Sequence, residues 1–364
     1  MVIGSRSAIF APQPDLGLIV IDEARKPVGV VRTWSRGELA EVKGLESGMT
    51  VISATLPGLR AGQPVKLLWT REDDTRHDLY RPAAWADFRA VLDAQGQAVA
   101  WHNRVAAQSP SNDATKRLLP WAASDSPDKN QIEGAFDLPY DIPNLAVRQV
   151  RLKGHVPVGY WRSVGHSYNA FFVESFADEV AHAAGQDPLA WRRARLGQHP
   201  RHLAVLERAA KEAGWGQALP AGRARGIALQ EAFGSICAQV AEVSVEDGQV
   251  RVHRVVCAID CGAVVNPDTV EAQMQGSIVF GLSAALFGEV TLAQGRVEQS
   301  SFTDYPMVKL SHMPKIDVHI LRNAHAPGGV GEPGVPPLAP ALANALFALT
   351  GQRLRSLPLR LKAA

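Results

Sequence analysis

Two stretches of this 364-residue chain combine residue types at spacings that suit chemistry. The first is GGVGEPG, Gly328 to Gly334, where Glu332 is the only charged side chain before Gly351. Gly328, Gly329, Gly331 and Gly334 let another molecule approach bare backbone. Pro333 has a fixed φ and confines Glu332 to extended backbone. A carboxylate held this way suits a general base, and an apolar pocket would raise its pKa toward that task. The same residues also read as a glycine-rich turn with a solvated Glu. The second stretch is GYWRSVG, Gly159 to Gly165, with Arg162 alone among aromatics and glycines at a helix entrance. Its guanidinium there suits the oxygens of a ligand. The alternative is a side chain packed over Tyr160 or Trp161.

Other chemistries lack their residues. There is no H-E-x-x-H, no cluster of histidines, no G-x-S-x-G elbow and no G-x-x-x-x-G-K-S/T phosphate loop. The three cysteines, Cys237, Cys257 and Cys261, are odd in number and form no C-x-x-C, which argues against a disulfide framework or a zinc ribbon. Their plain reading is small buried hydrophobes.

The elements that must position Arg162 and Glu332 follow from periodicity. HSYNAFFVESFADEVAHAAG places Phe172, Phe176 and Val180 on one helix face, with Gly185 as its stop. Asp187-Pro188 caps a second helix, LAWRRARLG. AQVAEVSVEDGQVRVHRVVCAID is a hairpin turning at Glu246-Asp247-Gly248. NPDTVEAQMQGSIVFGLSAALFGE and PLAPALANALFALTG read as buried helices, the latter ending at Gly351 before a short exposed tail, and KIDVHIL reads as a strand. Upstream, a strand at Val65 to Thr70 runs into a charged cluster. A turn at Asp93 to Gly96 leads into an alternating strand, and Ser109 to Ile142 reads mostly as loop. Mixed strands and helices without regular βαβ alternation favour an α+β fold.

Composition sets outer bounds. Apolar residues make up 46% and charged residues 20%, and 38 basic against 36 acidic side chains leave a net charge of +2. No block of like charge points to nucleic acid or membrane, and no apolar run reaches spanning length. No targeting signal opens the sequence, so the cytoplasm is the default compartment, with a periplasmic place for full-length relatives left open.

The closing stretch GGVGEPGVPPLAPALANALFALTG resembles the closing motif of the molybdenum hydroxylases, the xanthine dehydrogenase and aldehyde oxidase family. More narrowly, it resembles the large molybdopterin-binding subunit of the isoquinoline oxidoreductase and nicotinate dehydrogenase type. WTREDDTRHDLYRPAAW, PVGYWRSVGHSYNAFFVESFADEVAHAAGQDPL, GIALQEAFGSICAQVAEVSV, DCGAVVNPDTVEAQMQGSIVFGLSAALFGE and VEQSSFTDYP carry the same resemblance, in order, from about Gly62 to Leu359. It implies that Glu332 is the catalytic base, taking a proton from a hydroxide on molybdenum as an electron-poor carbon is hydroxylated. It also implies that Arg162, Gly165 and Gln273 lie against the cofactor, and that Gly329, Val330 and Gly331 bring main-chain groups near the metal. The metal is held by the pterin, as the cytosine dinucleotide form, and by no side chain of this chain. The implied partners are a small iron–sulfur subunit carrying 2Fe–2S clusters and an aromatic N-heterocycle or aldehyde substrate.

The departures shape the expectation too. The family's G-G-G-F-G loop and E-M-G-Q-G segment are not found, and its large subunit is roughly double this length. The first residues, GSRSAIFAPQPDLGLIVIDE, are instead similar to the Walker-B region of a primosomal replication helicase. The expected organisation is a helicase-like remnant at 1–26 and a linker at 27–61. A partial first molybdopterin-binding region follows at 62–150, and a second at 151–364. The expected fold is thus an α+β molybdopterin-binding domain truncated on its N-terminal side. The helices around Ile278 to Leu286 and Leu338 to Leu349 would be bared by the missing part, and the cofactor would be held weakly. Alternatives are an inactive remnant that docks the iron–sulfur subunit, and a nucleic-acid-dependent ATPase fragment.

Overall fold

The computed structural model describes residues 70–361 except 125, together with the backbone of two short strands, β1 (Leu18–Ile21) and β2 (Pro27–Val31), paired antiparallel. The rest of the helicase-like stretch, the linker after Val31 and the strand expected before Thr70 lie outside the described residues. The fold is α+β, with two larger sheets joined by helices.

The first of these sheets has the order β3 (Ala84–Leu92), β4 (Ala98–Ala107), β5 (Asn144–Arg151), antiparallel and then parallel. A two-residue hairpin, β9 (Leu292–Ala293) with β10 (Arg296–Val297), stands apart. The largest sheet has the order β11 (Lys315–Ile320), β8 (Gln249–Asp260), β7 (Ser235–Glu246), β6 (Arg223–Ala232), and only β11 runs parallel to its neighbour. Alternation along β7 gives each of this sheet's faces its own core. Ile236, Ala238 and Val240 join the core that includes Val205, Leu206 and Ala209 of helix Pro200–Glu212. Cys237, Ala241 and Val243 join the core filled by helices Pro267–Leu286 and Leu338–Thr350. Helix His166–Ala183 packs against both sheets and the C-terminal helix, so its first turn is fixed from several sides.

A buried ion pair locks that helix. Glu174 Oε2 accepts from Arg192 Nε at 2.9 Å and from Leu229 N at 2.8 Å, and Oε1 accepts from Tyr140 Oη at 2.6 Å. Asn344 Nδ2 of the C-terminal helix donates to Glu174 O. Burial opposes the charge on Arg192, but Glu174 overrides it and holds the guanidinium above its ordinary pKa.

Several expectations need correction. The charged cluster after Thr70 is a helix, Arg71–His77, opened by a Thr70/Asp73 capping box. Ser109 to Ile142 is loop over slightly more than half its length, as expected, but it also holds short helices. Its Ser109 and Asp128 cap helices Pro110–Leu118 and Lys129–Ile132, so residues read as loop formers are helix starters. The structure adds helix Pro200–Glu212, which the sequence reading lacks. The two apolar helices expected to be bare are covered within the chain: Ile278, Leu282 and Ala285 are buried, as is every residue from Leu338 to Leu346. The tail after Gly351 is not simply exposed. Leu359 is buried and its N–H donates to Ala285 O at 2.7 Å. The hairpin, the capped helix at Asp187-Pro188 and the left-handed stop at Gly351 (φ 73°) stand as expected. All three cysteines are free and buried.

Candidate functional site

The two chemistry-bearing stretches meet. Arg162 Nε donates to Gly331 O at 2.7 Å, and its Nη2 donates to Gln273 Oε1 at 2.9 Å and, more weakly, to Gln273 O at 3.5 Å. Beside it, Ser163 N donates to Glu332 Oε2 at 2.5 Å and Ser163 Oγ donates to Glu332 O at 2.7 Å. Arg162, Gln273, Gly331 and Glu332 therefore form one connected cluster. The helix from Pro267 supplies Gln273, the loop before Leu338 supplies Gly331 and Glu332, and the turn before His166 supplies Arg162 and Ser163.

That last turn is strained. Ser163 and Val164 sit at φ 76° and 44°, in the left-handed region that non-glycine residues avoid. Such conformations cost about 1–3 kcal/mol each and persist where the surroundings over-determine them. Here the surroundings are the two Glu332 bonds, Val164 N to Trp161 O at 2.7 Å, and the helix entrance. The entrance needs Gly165: a Cβ there would stand 2.2 Å from Asn130 O. Gly165 is thus packed against backbone and joins none of the cluster's hydrogen bonds.

Glu332 is half-buried and hydrogen-bonded by backbone, so the apolar pocket considered for it is not its environment. Its Oε1 has no partner among the described residues, and neither have Arg162 Nη1 and Gln273 Nε2. Burial holds the Arg162 pKa below its ordinary value, while the nearby Glu332 pulls it back up.

The glycine loop divides in two. Gly329 donates to Phe233 O at 2.8 Å and accepts from Ser235 Oγ at 2.7 Å, so both its main-chain groups are engaged in the fold. The N–H groups of Val330 and Gly331 have no partner among the described residues. A Cβ on Gly331 would meet nothing within 4 Å. Open space with spare donors therefore lies beside Glu332, while Val330 packs its side chain on the core.

Two features were not read from the sequence. Ser163 lies inside the quoted stretch, but its role depends on a positive φ that no residue pattern announces. A cavity of about 210 Å³ borders Trp161, lined also by Arg81, Phe302 and Tyr305. Arg81 Cζ lies 4.1 Å from the Trp161 ring centroid, and burial pushes its pKa down to about 10. Among the described residues no group of three His, Cys, Asp or Glu side chains could hold a metal ion, and no helix is long and apolar enough to cross a membrane.

Comparisons with known proteins identify the family. Residues 42–196 and 210–314 each match a family described as a molybdopterin cofactor-binding domain. The chain is 36% identical over 325 residues to the beta subunit of isoquinoline 1-oxidoreductase from Brevundimonas diminuta, covering 87% of this chain and 41% of that one. It is 30% identical over 367 residues to a subunit of the nicotinate dehydrogenase of Pseudomonas putida, covering 94% of this chain and 30% of that one. The chain thus spans less than half the length of either relative. Among solved structures, the aldehyde oxidoreductase of Desulfovibrio desulfuricans superposes with a TM-score of 0.62 at 15% identity, covering 79% of this chain and 49% of that one. Quinoline 2-oxidoreductase of Pseudomonas putida 86 superposes equally, with a TM-score of 0.62 at 12% identity over 79% of this chain and 62% of that one. A shared fold, two molybdopterin-binding matches and a glycine-loop carboxylate tied to an arginine turn lead to one conclusion: the chain belongs to the molybdenum hydroxylase family, in the C-terminal part of its large subunit.

Proposed function

We propose that this chain takes part in hydroxylating an electron-poor carbon of an aromatic N-heterocycle or an aldehyde, with water as the oxygen source and Glu332 as general base. The single observation that carries this reading is the Ser163–Glu332–Arg162–Gln273 cluster beside spare donors. Arg162 Nη1, Gln273 Nε2 and the N–H groups of Val330 and Gly331 form a donor set for an anionic, oxygen- and nitrogen-rich ligand. The open space at Gly331 leaves room for it. The residues present therefore fit molybdopterin. Arg162, Gln273, Val330 and Gly331 would hold it, while Gly165 and Gly329 shape the turns that present them. When bound, the cofactor activates water and accepts the substrate's electron pair.

The chain's own residues do the rest. Ser163 N–H fixes Oε2 of Glu332, so Oε1 is the atom that takes the proton from water. Arg162 fixes the Gly331 carbonyl and with it the direction from which Glu332 leaves the loop. The cavity beside Trp161 offers aromatic faces and the Arg81 guanidinium to a planar substrate. The cytosine dinucleotide form of the cofactor and a small iron–sulfur subunit that carries the electrons away belong to the same proposal. So does the division of the chain at about residue 150 between two molybdopterin-binding regions.

The experiment is molybdenum and pterin content of the chain assembled with its iron–sulfur partner, followed by turnover of isoquinoline, nicotinate and an aromatic aldehyde in ¹⁸O-water. Label in the product is expected. Cofactor-loaded protein that incorporates no label from any of the three leaves the inactive docking remnant as the surviving reading.

A further inference from the structure

We infer that Gln239 is a positioning residue for Glu332, acting from inside the largest sheet on the turn that carries it. Gln239 lies in the middle of strand β7 with no solvent exposure. Its Nε2 donates to Gly334 O at 2.7 Å, two residues beyond Glu332. Its other neighbours are soft: Nε2 stands 3.8 Å from Cys237 Sγ and 3.9 Å from Cys257 Sγ, which are themselves 3.5 Å apart. Its Oε1 has no hydrogen-bond partner among the described residues.

A buried amide with an unmet acceptor costs stability, and an apolar side chain of the same length would remove that cost while leaving the buried Gly334 carbonyl without its donor. Among the described residues, the only directional bond this side chain makes outside its sulfur neighbours is to the turn. That turn is narrow. Val335 N donates to Glu332 O at 3.0 Å, and a Cβ on Gly334 would stand 2.8 Å from Ser277 Cβ, so the helix behind leaves little slack. Ser163 holds the Glu332 end of the turn and Gln239 holds the Gly334 end. With one end free, the carboxylate keeps its identity and loses its address, and displacement of a catalytic group by about 1 Å costs up to about 10²-fold in rate.

The inference rests on the reading of Glu332 as base, and the test separates the two. In the full chain, Gln239→Met should fold with a melting temperature close to the parent's, because the unmet amide acceptor is lost as the Gly334 carbonyl loses its donor. Exchange of the Val335 amide hydrogen should accelerate about tenfold or more while exchange in β6 and β8 stays as in the parent. In the assembled, cofactor-loaded protein, kcat should fall about tenfold or more with KM unchanged. Gln239→Leu serves as the second variant if the methionine one does not fold. Unchanged Val335 exchange, acceleration spread evenly over the sheet, or failure of both variants to fold would each overturn the inference in favour of a purely structural glutamine. If Glu332→Gln leaves turnover intact, the base reading falls on its own. If that substitution abolishes turnover while Gln239→Met leaves kcat intact, only the role of Gln239 falls.

Discussion

Ser163 and Glu332, 169 positions apart in the chain, are joined twice: the Ser163 amide donates to the Glu332 carboxylate, and the Ser163 hydroxyl donates to the Glu332 carbonyl. One short residue therefore fixes both the side chain and the main chain of the candidate base. A charge-assisted bond from a backbone N–H is among the stronger hydrogen bonds a carboxylate accepts, and it leaves the second oxygen for proton transfer.

Glu332→Gln keeps an acceptor for the Ser163 amide but cannot take a proton. Turnover of the loaded enzyme should fall by roughly 10²-fold or more, with cofactor content and melting temperature close to the parent. Steady-state kinetics beside a molybdenum count would check it, and parental turnover in the variant would remove Glu332 from the mechanism.

Arg162→Ala opens three bonds at once, to Gly331 O, to Gln273 Oε1 and, more weakly, to Gln273 O. A ligand-holding arginine and a merely structural one differ in what is lost. We expect molybdopterin per chain to drop about tenfold, or ~1.4 kcal/mol of binding, with little change in unfolding midpoint. Lost stability at unchanged cofactor content would mark Arg162 as a packing residue over its aromatic neighbours.

Glu174→Ala strands the buried Arg192 guanidinium and also removes the acceptor for Leu229 N and Tyr140 Oη. Breaking one side of such a pair costs about 3–5 kcal/mol. Chemical denaturation of the variant should show a loss of that size, and a loss below about 1 kcal/mol would mean that the helix is held chiefly by its apolar packing.

His166, at the first turn of the same helix, is pushed down to about 4, first by burial and then by Lys129, with Glu231 opposing. Its folded pKa is below its unfolded value, so the unfolded chain binds the extra proton first. Stability from this group is present above about pH 6.5 and is lost as pH falls toward 4, up to about 3 kcal/mol over that window. Urea midpoints measured across the window should fall more steeply in the parent than in His166→Phe; parallel curves would contradict the assignment.

Much of the scaffold was legible because its signals are local. Period 3.6 in the helix from His166, the Asp187-Pro188 cap and the Asp247-Gly248 turn each need only a few neighbours to act. The short helices inside the loop-rich segment from Ser109 to Ile142 were not legible, because Ser, Asp and Pro serve turns and helix starts alike, and only the following residues decide which. At the site, Glu332 and Arg162 stood out by isolation, a single charge among glycines and a single charge among aromatics. Ser163 and Gln239 did not, because their roles are set by a left-handed φ and by a strand register, and both depend on partners far along the chain. The apolar helix from Leu338 looked like an uncovered surface because its cover, strands β6 and β7, lies about a hundred residues earlier.

The buried helix Leu338–Thr350 also has a consequence for biosynthesis. It closes one face of a sheet whose strands β6, β7 and β8 leave the ribosome well before it, and the Glu332 turn immediately precedes it. Until the Glu332 turn and this helix emerge, strands β6 and β7 are open on that side, and Arg162 and Gln273 wait without the carbonyl of Gly331 and without Glu332. Translation order thus leaves an interval in which the Arg162 and Gln273 side chains are uncovered, before this helix docks. Ribosome-bound chains stalled before Gly328 should accept a delivered pterin more readily than the released, folded chain, and the reverse preference would show that loading follows closure.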